Sequence, residues 1–341
     1  MLSREEFDQI VLNRFQELLP EIAGEGSEAV LRENVKINDT MRKGIMVTAS
    51  GNRISPTIYL EEYYDKYRRG ESIDRIIMQL GEAYEHVKDE QTISAWDMDM
   101  SYEKIREHLI FQVVNMKANK KLLAERPYHA LGNGMAMVYD YVLKMEGEQI
   151  MYLGITREHV QRFGYDMDEL QKDTMANTAK MLPAQLGRME DMLLEITENP
   201  SEQWTGMRSL DRIVEEIEQG DDSFIQGREF NMLVLSNPLR NLGASCLYYP
   251  GVQEKIGKAL GENYYVLPSS LHELILLPES IAFTAPNLNL IVAEVNAAHV
   301  RAEEYLGDRV LFYNRETKEL TCPADPDRDK ARGRRNPEME R

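Results

Sequence analysis

The sequence predicts an α+β protein of two mixed helix/sheet halves, with mainly antiparallel hairpins packed against helices. Three observations carry this expectation. Apolar residues recur at helical spacing in long stretches, short β-branched runs are bounded by Asn, Gly and Pro, and the two kinds of segment do not alternate as around a parallel sheet. Of 341 residues, 43% are hydrophobic and 29% charged, which is ordinary globular usage. That is enough apolar material for a core without a disulfide or a structural metal.

Phe7, Ile10, Val11, Phe15, Leu18 and Leu19 mark an opening helix, with Ser3 and Glu6 spaced for a capping box and Pro20 at its end. Val30–Ile37 and Gly44–Thr48 read as strands joined by a turn at Asn38-Asp39. Ser55 as cap and Pro56 as first helical residue predict a helix to Arg69, stopped by Gly70, and Ser72 opens another through Tyr84. A helix at Tyr102–His108 leads into Leu109–Val114, short and branched enough for a buried strand. A brief helix at Asn119–Ala124 precedes strands at Tyr128–Leu131 and Met135–Leu143, and Glu146-Gly147-Glu148 turns into a strand at Gln149–Leu153.

A domain boundary is expected near Gly154, giving domains 1–153 and 154–322, followed by a charged, disordered tail at 323–341. In the second half Thr156 caps a helix to Phe163, Asp166 or Asp168 starts one through Leu182, and Glu190–Thr197 and Ser201–Asp222 are helical. Phe230–Leu235 and Ala244–Tyr249 read as strands paired across Asn237–Asn241, and Val252–Leu260 as a helix ended by Gly261. Tyr264–Leu267 and Leu271–Leu277 form a hairpin over Pro268-Ser269-Ser270, before a helix at Leu288–Ala298 and a strand at Arg309–Tyr313.

Net charge is −18, and such a surface repels a phosphate backbone, so no nucleic-acid partner is expected. The tail Arg328–Arg335 is the one basic patch, diluted by aspartate. No stretch approaches the roughly 20 apolar residues that span a bilayer, and the first residues lack a signal-peptide pattern. Two cysteines far apart, Cys246 and Cys322, point to a reducing compartment; a cytoplasmic protein without a membrane partner is expected.

His272-Glu273 is the sharpest local feature, yet position 276 is Leu276, so the second histidine of a zinc-protease helix is missing. Ser269 or Ser270 with His272 as base is a weaker catalytic pairing, because no Gly-x-Ser-x-Gly elbow surrounds it. A hairpin tip whose hydroxyls bond their own backbone explains those serines equally. Glu82 and His86 share a helix face, but two ligands do not make a metal site. Gly132-Asn133-Gly134 lacks the third glycine of a dinucleotide loop and reads as a turn. Trp96-Asp97-Met98-Asp99 lacks the glycine and terminal glutamate of a calcium loop. Accordingly no metal and no cofactor are expected. Asn115, Asn177 and Asn296 lie in or beside regular elements, where asparagine is disfavoured; they either satisfy buried backbone or, for Asn177 and Asn296, line a polar ligand pocket.

Several segments together resemble a known family: Ser55-Pro56-Thr57-Ile58-Tyr59-Leu60-Glu61, Val114-Asn115 with Asn119-Lys120-Lys121-Leu122-Leu123, Leu267-Pro268-Ser269-Ser270-Leu271-His272-Glu273, Glu294-Val295-Asn296, and Leu306-Gly307-Asp308-Arg309-Val310. Their order and spacing are similar to the domain-of-unknown-function family 5688 of anaerobic Gram-positive gut bacteria. The resemblance runs from the first helix to Tyr313 and implies a bacterial cytoplasmic protein, with no activity attached. Two function classes follow. The first is a non-enzymatic module binding a protein or small-molecule ligand, favoured because every catalytic template fails. The alternative is a hydrolase-like enzyme with a site between the domains near the 268–273 hairpin, using His272, Glu273 and Ser269.

Overall fold

The computed structural model describes residues 1–48, 57–90, 100–146, 149–198, 206–225, 232–268, 270–281 and 283–323. Ser55, Pro56, Trp96 to Asp99, the Gly147-Glu148 turn, Ser269 and the tail beyond Pro323 lie outside them. The chain divides into two compact units, Met1–Met100 and Ser101–Arg341. That division falls earlier than Gly154, because the strand ending at Gly154 belongs to a sheet inside the second unit.

In the first unit, helix α1 (Arg4–Ala23) begins with the expected reciprocal cap, Ser3 N–H to Glu6 Oε2 at 2.8 Å and Glu6 N–H to Ser3 Oγ at 3.3 Å. It runs through Pro20 instead of ending there. Phe7, Val11, Phe15 and Leu19 line its buried face. They meet Ile76, Ile77, Leu80 and Tyr84 of a later helix, Ile73–Glu90, and Ile45 and Val47 of the strand Met41–Thr48. Strands β1 (Glu28–Val35) and β2 (Met41–Thr48) are joined through Asn38 and Asp39, both at positive φ, which Asn and Asp tolerate best among residues with a side chain. β3 (Thr57–Tyr59) adds to β2, where a helix was expected. Gly44 permits it, since a Cβ there would lie 2.6 Å from the Ile58 carbonyl oxygen. Helices α2 (Glu61–Arg68) and α3 (Ile73–Glu90) complete the unit.

The second unit opens with α4 (Tyr102–Ile105) and a 3-10 turn (Arg106–His108). The first of its sheets holds β4 (Leu109–Asn115), β5 (Tyr128–Gly132), β6 (Met135–Glu146) and β7 (Gln149–Gly154), with α5 (Lys120–Glu125) between β4 and β5. β6 is the spine: β4 pairs along one edge, and β5 and β7 share the other. Gly132-Asn133-Gly134 forms the expected turn, all three at positive φ. The free edge of β4 is closed by side chains: Phe111 N–H donates to Thr178 Oγ1 at 3.0 Å and Ser245 Oγ donates to the Phe111 carbonyl at 3.3 Å. Such pairing removes the unbonded backbone that a buried edge cannot carry.

Helices α6 (Arg157–Phe163) and α7 (Met167–Met181) follow, capped by Thr156 and Asp166. Then come β8 (Gln185–Arg188), α8 (Met189–Glu198), β9 (Arg208–Ser209), α9 (Leu210–Glu218), β10 (Leu233–Ser236), α10 (Val252–Leu260), β11 (Tyr264–Leu267), β12 (Leu274–Pro278), α11 (Ala285–His299), β13 (Leu311–Asn314) and β14 (Glu319–Thr321). Their strands form a seven-stranded sheet in the order β14-β13-β11-β12-β10-β8-β9, with every ladder antiparallel. Leu288 and Val292 of α11 pack on Leu267 and Leu277 of this sheet, while Leu290, Ile291 and Val295 on its outer side are exposed.

Where a strand was expected over Ala244–Tyr249, the chain forms a 3-10 helix, Gly243–Tyr248. Gly243 to Leu247 are buried, and Ala244 N–H donates to the Leu271 carbonyl at 3.0 Å, so the segment threads between layers instead of joining the ladder. β10 pairs with β8 and β12 in its place. No helix among the described residues is long and apolar enough to cross a membrane.

Candidate functional site

His272 and Glu273 lie in the bend before β12, not on a strand. Ser270 Oγ accepts the His272 backbone N–H at 3.0 Å, and Ser236 Oγ donates to the His272 carbonyl at 2.7 Å. Ser236 thus spends its hydroxyl proton on backbone, while Ser270 serves as a backbone acceptor, and neither hydroxyl bonds the imidazole. The ring's Nδ1 accepts from Leu242 N–H at 3.4 Å and its Nε2 faces Glu304 Oε1 at 3.9 Å. Burial lowers the His272 pKa; Glu304 acts against this and Arg301 with it. Burial likewise raises the Glu273 carboxyl, opposed by Arg240. Arg240 and Leu242 both hold positive φ, an arrangement costly for side chains of this size. The loop is a strained, well-tied corner holding an imidazole and two carboxylates.

Asn177 and Asn296 sit on separate elements. Asn177 of α7 donates to the Arg106 carbonyl, and Asn296 of α11 is buried and donates to the Gly307 carbonyl at 2.7 Å. Asn115 donates to the Leu306 carbonyl at 2.9 Å, and Asn289 Oδ1 accepts Val310 N–H at 2.8 Å. Three asparagines thus anchor the segment 306–310 through its backbone.

A buried ionic network lies under β6. Asp140, fully buried, meets Arg126 Nη2 at 2.7 Å and accepts Gln112 Nε2 at 2.8 Å. Arg126 also donates to the carbonyls of Ile155 (3.3 Å) and Tyr139. Burial raises the Asp140 carboxyl, while the Arg126 guanidinium and the Gln112 amide act to keep it charged. Gly154 makes room for this arginine, as a Cβ there would lie 2.9 Å from Cζ.

Beside this network a cavity of about 400 Å³ opens between the start of β5, β6, α6 and α7. Tyr139 lines it while only 1% exposed, and burial pushes its hydroxyl up to about 12, so it stays a neutral donor and acceptor. Pro127, Tyr128, Val160 and Met167 supply apolar wall; His129, Arg157, Gln161, Asp168 and Gln171 supply polar groups. Arg157 Nε and Nη2 donate to the Ala124 and Leu123 carbonyls at 3.0 and 3.2 Å, satisfying the end of α5 and fixing the guanidinium plane. Sequence reasoning missed this site. One signal was available: Thr156 caps α6, and Arg157, Val160 and Gln161 then fall on one helical face.

Fold and site together describe an α+β protein with a cavity in its larger unit. The chain belongs to the family of unknown function DUF5688, which matches residues 4–315. No curated protein and no solved structure matches it.

Proposed function

We propose that the second unit is a non-enzymatic binding module whose small-molecule ligand seats in the cavity lined by Tyr139, Arg157 and Asp168. The observation that carries this reading is a cavity of about 400 Å³ whose wall includes the near-buried Tyr139, with charged and amide residues around it. Ligand sites characteristically combine apolar walls with a few convergent polar groups in a volume of roughly 300–1,000 Å³. The 268–273 corner supports a hydrolase less well, because the His272 ring takes the Leu242 N–H at Nδ1 and neither Ser270 nor Ser236 bonds the imidazole. The two unpaired cysteines support a reducing, cytoplasmic setting, and a net charge of −18 speaks against nucleic-acid partners.

Val160→Trp, on the wall, fills the cavity from a half-buried helix position. A library of small polar metabolites, screened by amide-resonance shifts on the full chain, is expected to yield ligands that move residues 127–129, 139, 157–161 and 167–171. The tryptophan variant keeps its thermal midpoint and loses those shifts. Ligands that bind the variant as well as the parent, or shifts confined to other surfaces, refute the reading.

A further inference from the structure

Arg157 and Asp168 line the same cavity with opposite charges, yet neither forms an ion pair among the described residues. Two opposite charges left unpaired beside a cavity set a pattern for a ligand that carries both signs itself. Arg157 has its Nε and Nη2 fixed on the end of α5, which orients the remaining Nη1 edge as a donor to an anion. Asp168 occupies the first turn of α7, where the backbone N–H groups of Asp168 and Glu169 are already bonded to Asp166 Oδ1. No ion pair involves its carboxylate among the described residues, so that carboxylate is open to accept from an ammonium. Tyr139, Gln161 and Gln171 offer neutral hydrogen bonds, and Pro127, Tyr128, Val160 and Met167 offer apolar contact.

We propose that the cavity takes a small zwitterion of the α-amino-acid class with an apolar side chain: carboxylate toward Arg157, ammonium toward Asp168, side chain on the Tyr128, Val160 and Met167 wall. The proposal rests on the cavity being the binding site and adds the class of ligand. A lone anion leaves Asp168 uncompensated and a lone cation leaves Arg157 so. Both side chains are exposed, so each contact changes affinity by about 1.4-fold to fivefold, the scale of exposed ion pairs.

The test uses the full chain and three probes: leucine, leucinamide (cation only) and N-acetylleucine (anion only), titrated by calorimetry and by amide-resonance shifts. Leucine is expected to move the cavity resonances and to bind about 1.4-fold to fivefold more tightly than either analogue. Asp168→Asn is expected to lower leucine affinity to that of N-acetylleucine while leaving N-acetylleucine unchanged. Arg157→Gln lowers it to that of leucinamide, and Arg157→Lys, which keeps the charge, recovers part of the loss. If an analogue binds in the cavity as well as leucine does, the zwitterion is overturned while the cavity reading stands. If none of the three probes moves the cavity resonances, the zwitterion is overturned, and the Val160→Trp screen decides the cavity reading separately.

Discussion

Replacing Arg126 with Met removes the guanidinium while keeping most of the side chain's bulk, and leaves Asp140 in place. Asp140 is fully buried and the Arg126 side chain is 11% exposed, so solvent screens this pair little. Without Arg126, only the Gln112 amide at 2.8 Å remains on the carboxylate, and the Tyr139 and Ile155 carbonyls lose a donor. Stranding one charge of a buried pair costs about 3–5 kcal/mol. For a unit of this size that is about 6–20 °C in thermal midpoint. Replacing both partners with apolar residues, Arg126→Met with Asp140→Leu, removes the stranded charge and is expected to recover most of the loss. The single variant's deficit also shrinks on acidification. Burial holds the folded carboxyl above its ordinary value of 3.8, so the folded variant takes up the proton before the unfolded chain does and gains stability as pH falls. Urea unfolding of the full chain followed by circular dichroism at pH 7 and pH 5 measures all three. A single-variant cost under about 1 kcal/mol, or a double variant no better than the single, refutes the assignment of Asp140 as a charge held in place by Arg126.

Gly154→Ala drives a Cβ against Arg126 and is expected to cost about 1–3 kcal/mol through overpacking; denaturant midpoints check it, and a neutral result means the arginine moves aside freely. His272 and His159 both have pKa values lowered from 6.5, chiefly by burial, and both rings accept a backbone N–H at Nδ1, from Leu242 and Thr156. The unfolded chain therefore takes up these protons at higher pH than the folded one, so their contribution to stability is full above about 6.5 and is lost as pH falls below it. Replacing both with Gln flattens that decline between pH 7 and 5, and an unchanged slope counts against these two histidines. Cys246 is buried, with its thiol pushed up to about 12 chiefly by burial, whereas Cys322 is half-buried. Iodoacetamide on the native chain, read by peptide mass, is expected to modify Cys322 and spare Cys246.

The sequence by itself determined what local chemistry controls. The Ser3–Glu6 cap, the Asn38-Asp39 turn, the fully buried β4 run and the helices opened by Thr156 and Asp166 stand where spacing and capping placed them, and the α+β class follows from their order. Tertiary structure decided what depends on a distant partner. Thr57–Tyr59 is a strand because Gly44 lets a neighbouring backbone approach, and Gly243–Tyr248 is a 3-10 helix because Leu271 and Phe111 take its polar groups. The cavity shows the same division. Arg157, Val160 and Gln161 share a helix face that the sequence reveals, but only packing brings Tyr139 and Asp168 to the same space. Spacing along the chain encodes which residues share one helix face or strand face. It does not encode which faces meet, since that is set by side-chain complementarity among segments far apart in sequence.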